Sequence, residues 1–154
     1  MRCCLAARQR VTTTGAIDEQ VAARLGRQLL LHRCPVPDVR FVVDEYAFRR
    51  PSQTARTWED QLLRIETAAM WPNVVIQVLP FTAGPHGMDV SLTLLWQESG
   101  SAVAYKEGNG LGVLMNEAED VTRHRLSYDR LRDVALSPAD SLTFIRGVLK
   151  EHTS

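Results

Sequence analysis

Two runs dense in β-branched residues, VRFVVDEY from position 39 and NVVIQVLP from position 73, are separated by a segment of helical periodicity, TARTWEDQLLRIETAAM. Runs of this length and composition read as buried strands. A strand that reaches the next strand through a helix makes a crossover rather than a hairpin, so this pair is expected to run parallel. The intervening helix is expected to be capped by Ser52 or Thr54. Its apolar face is formed by Trp58, Leu62, Ile65 and Ala69 with Leu63 and Met70, and Pro72 ends it.

The rest of the chain fills in around this unit. DEQVAARLGRQLLLHR, from position 18, places Val21, Leu25, Gln28, Leu29 and His32 along one side at three- and four-residue steps, with Asp18 as N-cap or first-turn anion. The prolines of CPVP break that helix. VSLTLLWQ and SAVAYKE read as strands joined by the short ESGS connection, and GNGLG reads as a flexible breaker. EAEDVTRHRLSYDRLRDVA and DSLTFIRGVLKEH read as closing helices, the second opened by Ser137 as N-cap and Pro138 at the first helical position. The order predicts an α+β fold: a largely antiparallel four-stranded sheet packed with about four helices. Residues 1–154 are expected to form one domain, with 1–16 as a frayed segment.

Composition removes several functional classes. Lys plus Arg and Asp plus Glu both number 18, for a formal net charge of zero, so no global field recruits nucleic acid or an anionic membrane. Arg123, Arg125, Arg130 and Arg132 alternate with Glu117, Glu119, Asp120, Asp129 and Asp133, the pattern of a solvated, ion-paired helix face. Cys3, Cys4 and Cys34 are too few for a disulfide framework, and with no long apolar stretch the expected location is cytoplasmic. No metal-ligand spacing, phosphate-cradling loop or dinucleotide fingerprint occurs, so no cofactor is expected.

The candidate site residues gather at predicted strand ends. Asp44 and Glu45 leave the first strand. On extended backbone they point to opposite faces, and a salt bridge to Arg49 or Arg50, or capping of the following turn, is the favoured role over acid–base chemistry. His86, in the glycine-flanked GPHG loop beside Phe81, is a candidate base or ligand contact, weighed against a solvent-exposed loop histidine. Cys3 and Cys4 lie near Arg2 and Arg8, but a terminal position argues against a nucleophile.

Together, DEYAFRRP, QLLRIETAAMWPNVVIQVLPFTAGPH, AYKEGNG and YDRLRDVALSPADSLTFI resemble the C-terminal domain of actinobacterial XRE-type helix-turn-helix regulators, the Scr-type antitoxin-like group that includes WhiJ-like proteins. AARLGRQLLLHR fits the same pattern, which then extends over the chain from about Val21 onward. Two features depart from it: the chain opens at MRCCLAARQR, where the family carries an upstream DNA-binding module, and Met88 and Asp89 alter the lip after GPHG. The resemblance implies a sensing or partner-binding domain that acts in regulation without direct DNA binding, with dimerisation through exposed helix faces. A pocket is expected from Glu45, Arg50, Gln77, Phe81, His86, Tyr105 and Glu107, open to a small hydrophobic molecule or a small protein partner. The alternative is a cofactor-free cyclase or isomerase of specialised metabolism, with Glu45, His86 or Glu107 as catalytic groups.

Overall fold

A computed structural model of the chain describes residues 14–51, 54–87, 90–108 and 110–153. Cys3, Cys4, Ser52, Met88 and Asp89 lie outside the described residues, as does most of the segment expected to fray; residues 14–16 are helical. Helix α1, Thr14–Gln28, passes into a 3-10 turn at Leu29–His32. Asp18 therefore sits inside the helix rather than capping it. Strand β1 spans Val39–Asp44, and a short helix, α2, Tyr46–Arg49, follows in place of the expected turn. Asp44 Oδ1 fixes its start by accepting from the Tyr46 amide at 2.7 Å. Helix α3 is Ala55–Ala69, capped by Thr54, whose Oγ1 accepts from the Thr57 amide at 3.2 Å.

Strand β2, Val74–Leu79, leads into a 3-10 turn at Phe81–Ala83. Strands β3, Ser91–Trp96, β4, Ala102–Gly108, and β5, Leu111–Met115, come next, followed by helices α4, Ala118–Val134, and α5, Pro138–Thr153. Ser137 Oγ accepts from the Asp140 amide at 3.1 Å and donates to its carboxylate at 2.6 Å, a reciprocal cap with Pro138 at the first helical position. The α+β class stands, but the single four-stranded sheet is corrected. Among the described residues β1 and β2 form a two-stranded parallel sheet, and β3, β4 and β5 form a separate antiparallel one in that order. Among the same residues no helix is long and apolar enough to cross a membrane.

The chain divides into two compact units, Met1–Val78 with Leu136–Ser154, and Leu79–Ala135. In the first, alternation along β2 turns Val74, Ile76 and Val78 into a core completed by Phe48, Trp58, Leu62, Ile145 and Val148. Leu62 of α3 and Ile145 of α5 are fully buried, and Arg146 Nε meets Glu66 Oε1 at 2.7 Å across the same helix pair. Phe48 and Phe144 meet edge to face with centroids 5.9 Å apart. The chain leaves this unit after Val78 and re-enters at Leu136, whose amide donates to the Val78 carbonyl at 2.8 Å. The Val78 amide in turn donates to the fully buried Ser141 Oγ at 2.9 Å.

In the second unit β3 and β4 pair in the register Leu94 to Ala104, and β4 and β5 in the register Ala104 to Met115. Gly100 and Gly110 have φ of 83° and 80°, the left-handed conformation that lets these two tight turns close. The flexible breaker expected at GNGLG is thus corrected: Leu111 and Gly112 already belong to β5. Helix α4 covers the sheet face that carries the buried Ala104, adding the buried Val121. Its outer side holds the expected ion pairs, among them Arg123 with Glu119 at 3.3 Å and with Asp120 at 3.1 Å.

Candidate functional site

The first unit contains an apolar pocket of about 440 Å³. Alternation in the parallel sheet supplies its floor, because Phe41 and Val43 of β1 and Val74 and Ile76 of β2 share one face. Helix α3 supplies a wall through Trp58, Gln61, Ile65 and Ala68, which recur at three- and four-residue steps, with Arg64 beside them. Leu62 flanks this stripe and is buried in the same core cluster as Trp58, against which Ile65 and Ala68 pack. Gln28 at the end of α1 and Leu31 and His32 of the 3-10 turn form the opposite wall. Trp71, Ala47 and Phe48 complete the lining.

Polar bonds hold the α1 wall in place. Asn73 Nδ2 donates to the carbonyls of Leu31 at 3.2 Å and Pro37 at 3.1 Å, the His32 ring meets Trp71 edge to face at 4.7 Å, and Arg64 Nη2 donates to Gln28 Oε1 at 3.4 Å. Gln61, Arg64, His32 and Phe41 are exposed, which places the polar groups where the pocket meets water. Among the described lining residues there is no carboxylate; the titratable groups are His32 and Arg64. The Trp58 indole nitrogen is buried without a hydrogen-bond partner.

The seven residues nominated from sequence fall in both units, and none of them lines this pocket. Glu45, Arg50 and Gln77 belong to the first. Glu45 Oε1 accepts from Arg49 Nε at 3.2 Å, Arg50 donates to the Tyr46 hydroxyl at 2.6 Å, and Gln77 Nε2 donates to the Leu136 carbonyl at 2.8 Å. The salt bridge and turn-capping roles favoured for the Asp44 and Glu45 pair are therefore both present. Arg49 also reaches Glu151 at 2.6 Å, and these carboxylates, the Glu45 hydrogen bond foremost, raise its pKa further above the usual guanidinium value.

Phe81, His86, Tyr105 and Glu107 belong to the second unit. Phe81, His86 and Glu107 are exposed, while the Tyr105 ring lies over Gly112 of the neighbouring strand, where a Cβ would run into its hydroxyl. Sequence reasoning did not nominate Gln28, His32, Gln61 or Arg64 for the site. The signal that could have found them is the interruption of an apolar helix band by Gln61 and Arg64 together with the small Ala68. Among the described residues no group of three or more His, Cys, Asp or Glu is placed to hold a metal ion.

Fold and pocket together define an α+β chain with a parallel β-α-β core and an apolar recess among the described residues. The chain belongs to the family described as Domain of unknown function (DUF5753), whose model matches residues 1–147. No curated protein and no solved structure matches the chain.

Proposed function

We propose that this chain is a cytoplasmic ligand-binding domain of regulatory type, related to the effector domains of XRE-type regulators, that holds a small hydrophobic molecule and does not itself contact DNA. One observation carries the reading: an apolar pocket of about 440 Å³ whose polar side chains His32, Gln61 and Arg64 are exposed. Small-molecule sites typically measure roughly 300–1,000 Å³ and have this apolar lining with few polar groups. The balanced charge supports a role away from nucleic acid. A cyclase or isomerase working by proton transfer in the same pocket would need an acid and a base facing the substrate, and the described lining offers one imidazole, one guanidinium and no carboxylate; a pericyclase-like enzyme that only folds its substrate into a reactive conformer would need neither. Binding is the better supported of the two.

The test uses a neutral, environment-sensitive dye, N-phenyl-1-naphthylamine, titrated into the full chain. Saturable binding of one dye per chain is expected. Ala68→Phe, which places a ring in the pocket, is expected to weaken it at least tenfold, and Ala47→Leu serves as a second obstruction from the other end. Dye binding that neither substitution changes, in variants with an intact unfolding transition, would overturn the reading.

A further inference from the structure

Resting on that reading, we infer that the pocket is built for an apolar monoanion, a carboxylate carried on a hydrophobic body, and that Arg64 is the residue that holds the carboxylate. Its place on the pocket lining singles Arg64 out among the first unit's arginines. Arg40, Arg49 and Arg146 each have a carboxylate, at 3.4 Å to Asp38, 2.6 Å to Glu151 and 2.7 Å to Glu66, whereas Arg27, Arg50 and Arg56, like Arg64, have none among the described residues but do not line the pocket. Arg64 has none within ion-pairing distance among the described residues; its recorded bond is the long one, 3.4 Å, to the neutral Gln28 amide oxygen. It is also the guanidinium on the pocket lining, where the other titratable group is His32.

An anion arriving at this rim meets the Arg64 charge and no carboxylate among the described lining residues, although Asp60 lies one turn before Arg64 on α3. Its hydrophobic body is meanwhile received by Phe41, Val43, Ile65, Val74 and Ile76. A carboxylate accepts two parallel N–H bonds from a guanidinium, whereas the Gln28 amide offers one oxygen, so exchange of partners at Arg64 favours the anion. Because Arg64 is exposed, water and salt screen the pair. The apolar body therefore supplies most of the affinity, and Arg64 supplies selectivity of about five- to tenfold. A cationic amphiphile is rejected on the same charge argument.

The experiment displaces N-phenyl-1-naphthylamine from the full chain with octanoate or octylammonium below their micellar concentrations, or octan-1-ol below its solubility limit, which hold the hydrophobic body constant and vary the head. Octanoate is expected to displace the dye at five- to tenfold lower concentration than octan-1-ol, with octylammonium weakest, and added salt is expected to narrow the gap. In Arg64→Gln the octanoate preference is expected to disappear while displacement by octan-1-ol is unchanged. Arg64→Lys, which keeps the charge, is expected to retain part of the preference, and Arg56→Gln, outside the pocket on the same helix, all of it. If octanoate and octan-1-ol compete equally in the unmodified chain, or if the preference survives Arg64→Gln, the anion assignment is overturned while the pocket stands. If no amphiphile displaces the dye and Ala68→Phe leaves dye binding intact, both readings fall.

Discussion

His124 Nε2 lies 3.2 Å from Met115 Sδ on the side of α4 that covers the three-stranded sheet, with Lys106 on β4 and Arg123 on its own helix nearby. Burial first, then the Lys106 and Arg123 charges, lower its pKa below the ordinary value of 6.5, against an opposing pull from Asp120. In the unfolded chain the imidazole takes its proton more readily than in the folded one. Stability therefore carries no penalty from His124 above pH 6.5, and loses ground as pH falls below 6.5 toward the depressed folded value. Urea unfolding at pH 7.5 and 5.5 should show the unmodified protein losing more stability on acidification than His124→Gln, and an NMR titration should place the His124 midpoint below the ordinary value of 6.5. Equal acid sensitivity in the two proteins would remove His124 from the account. The same local view explains which single residues could be read from sequence. Thr54 and Ser137 cap helices through bonds to residues three positions on, so neighbouring letters contain the whole interaction. The Glu45 to Arg49 pair, four positions apart, was legible in the same way, whereas Gln77 attracted a functional reading because its partner, the Leu136 carbonyl, lies far along the chain and is visible only once backbone geometry is set.

At the scale of elements, the β4–β5 hairpin shows how one side chain and one missing side chain act as a unit. Tyr105 pairs with Leu114 and Glu107 with Gly112, and the Tyr105 ring leans diagonally over Gly112. Glycine in a strand ordinarily weakens it, and replacement by alanine is favourable by roughly 0.5–1 kcal/mol. Here the sign should reverse: Gly112→Ala forces the half-exposed ring aside and is expected to cost about 0.5–1.5 kcal/mol, the range for an off-rotamer side chain. In a Tyr105→Ala background the same change should become neutral or stabilising, so a double-mutant cycle by chemical denaturation checks the contact, and additivity of the two changes would refute it. This hairpin also marks where sequence reading stopped. The Asn-Gly pair at 109 and 110 is a strong hairpin signal, but flanked by Gly108 and Gly112 it reads as a breaker; the ring that covers Gly112 comes from another strand. By contrast β1, α3 and β2 were legible, including the parallel crossover, because β-branched runs and a helical apolar stripe are properties of contiguous residues. The division into two sheets was not legible, since pairing depends on which strands the chain brings together. The pocket was half legible: Trp58 and Ile65 were assigned to an apolar face, but that face borders a recess only when α1, α3 and the sheet floor meet.

For the molecule as a whole, the order of the chain matters more than its length, because the residues that form the pocket and its supporting core all lie within Met1–Val78 and Leu136–Ser154. Leu79–Ala135 is an insertion in the sequence of the first unit, and the residues of that unit on either side of it are bonded to each other. The Leu136 amide reaches the Val78 carbonyl at 2.8 Å, Gln77 reaches the Leu136 carbonyl at 2.8 Å, and Ser141 accepts from the Val78 amide at 2.9 Å. Points held this closely can be joined by a short bridge, since about four residues span more than 10 Å when extended. Shortening the connection also reduces the entropy of closing it, although that term grows only slowly with loop length. A chain in which Leu79–Ala135 is replaced by a Gly-Ser bridge of about four residues is therefore expected to unfold in one cooperative transition and to bind the neutral dye with the sensitivity to Ala68→Phe seen in the full chain. Leu62→Ala in that shortened chain should cost about 2–5 kcal/mol, as for a fully buried leucine, because the core it occupies is intact. A shortened chain without a cooperative transition would mean that the first unit's own core is insufficient, and the pocket would then have to be treated as a property of the entire chain.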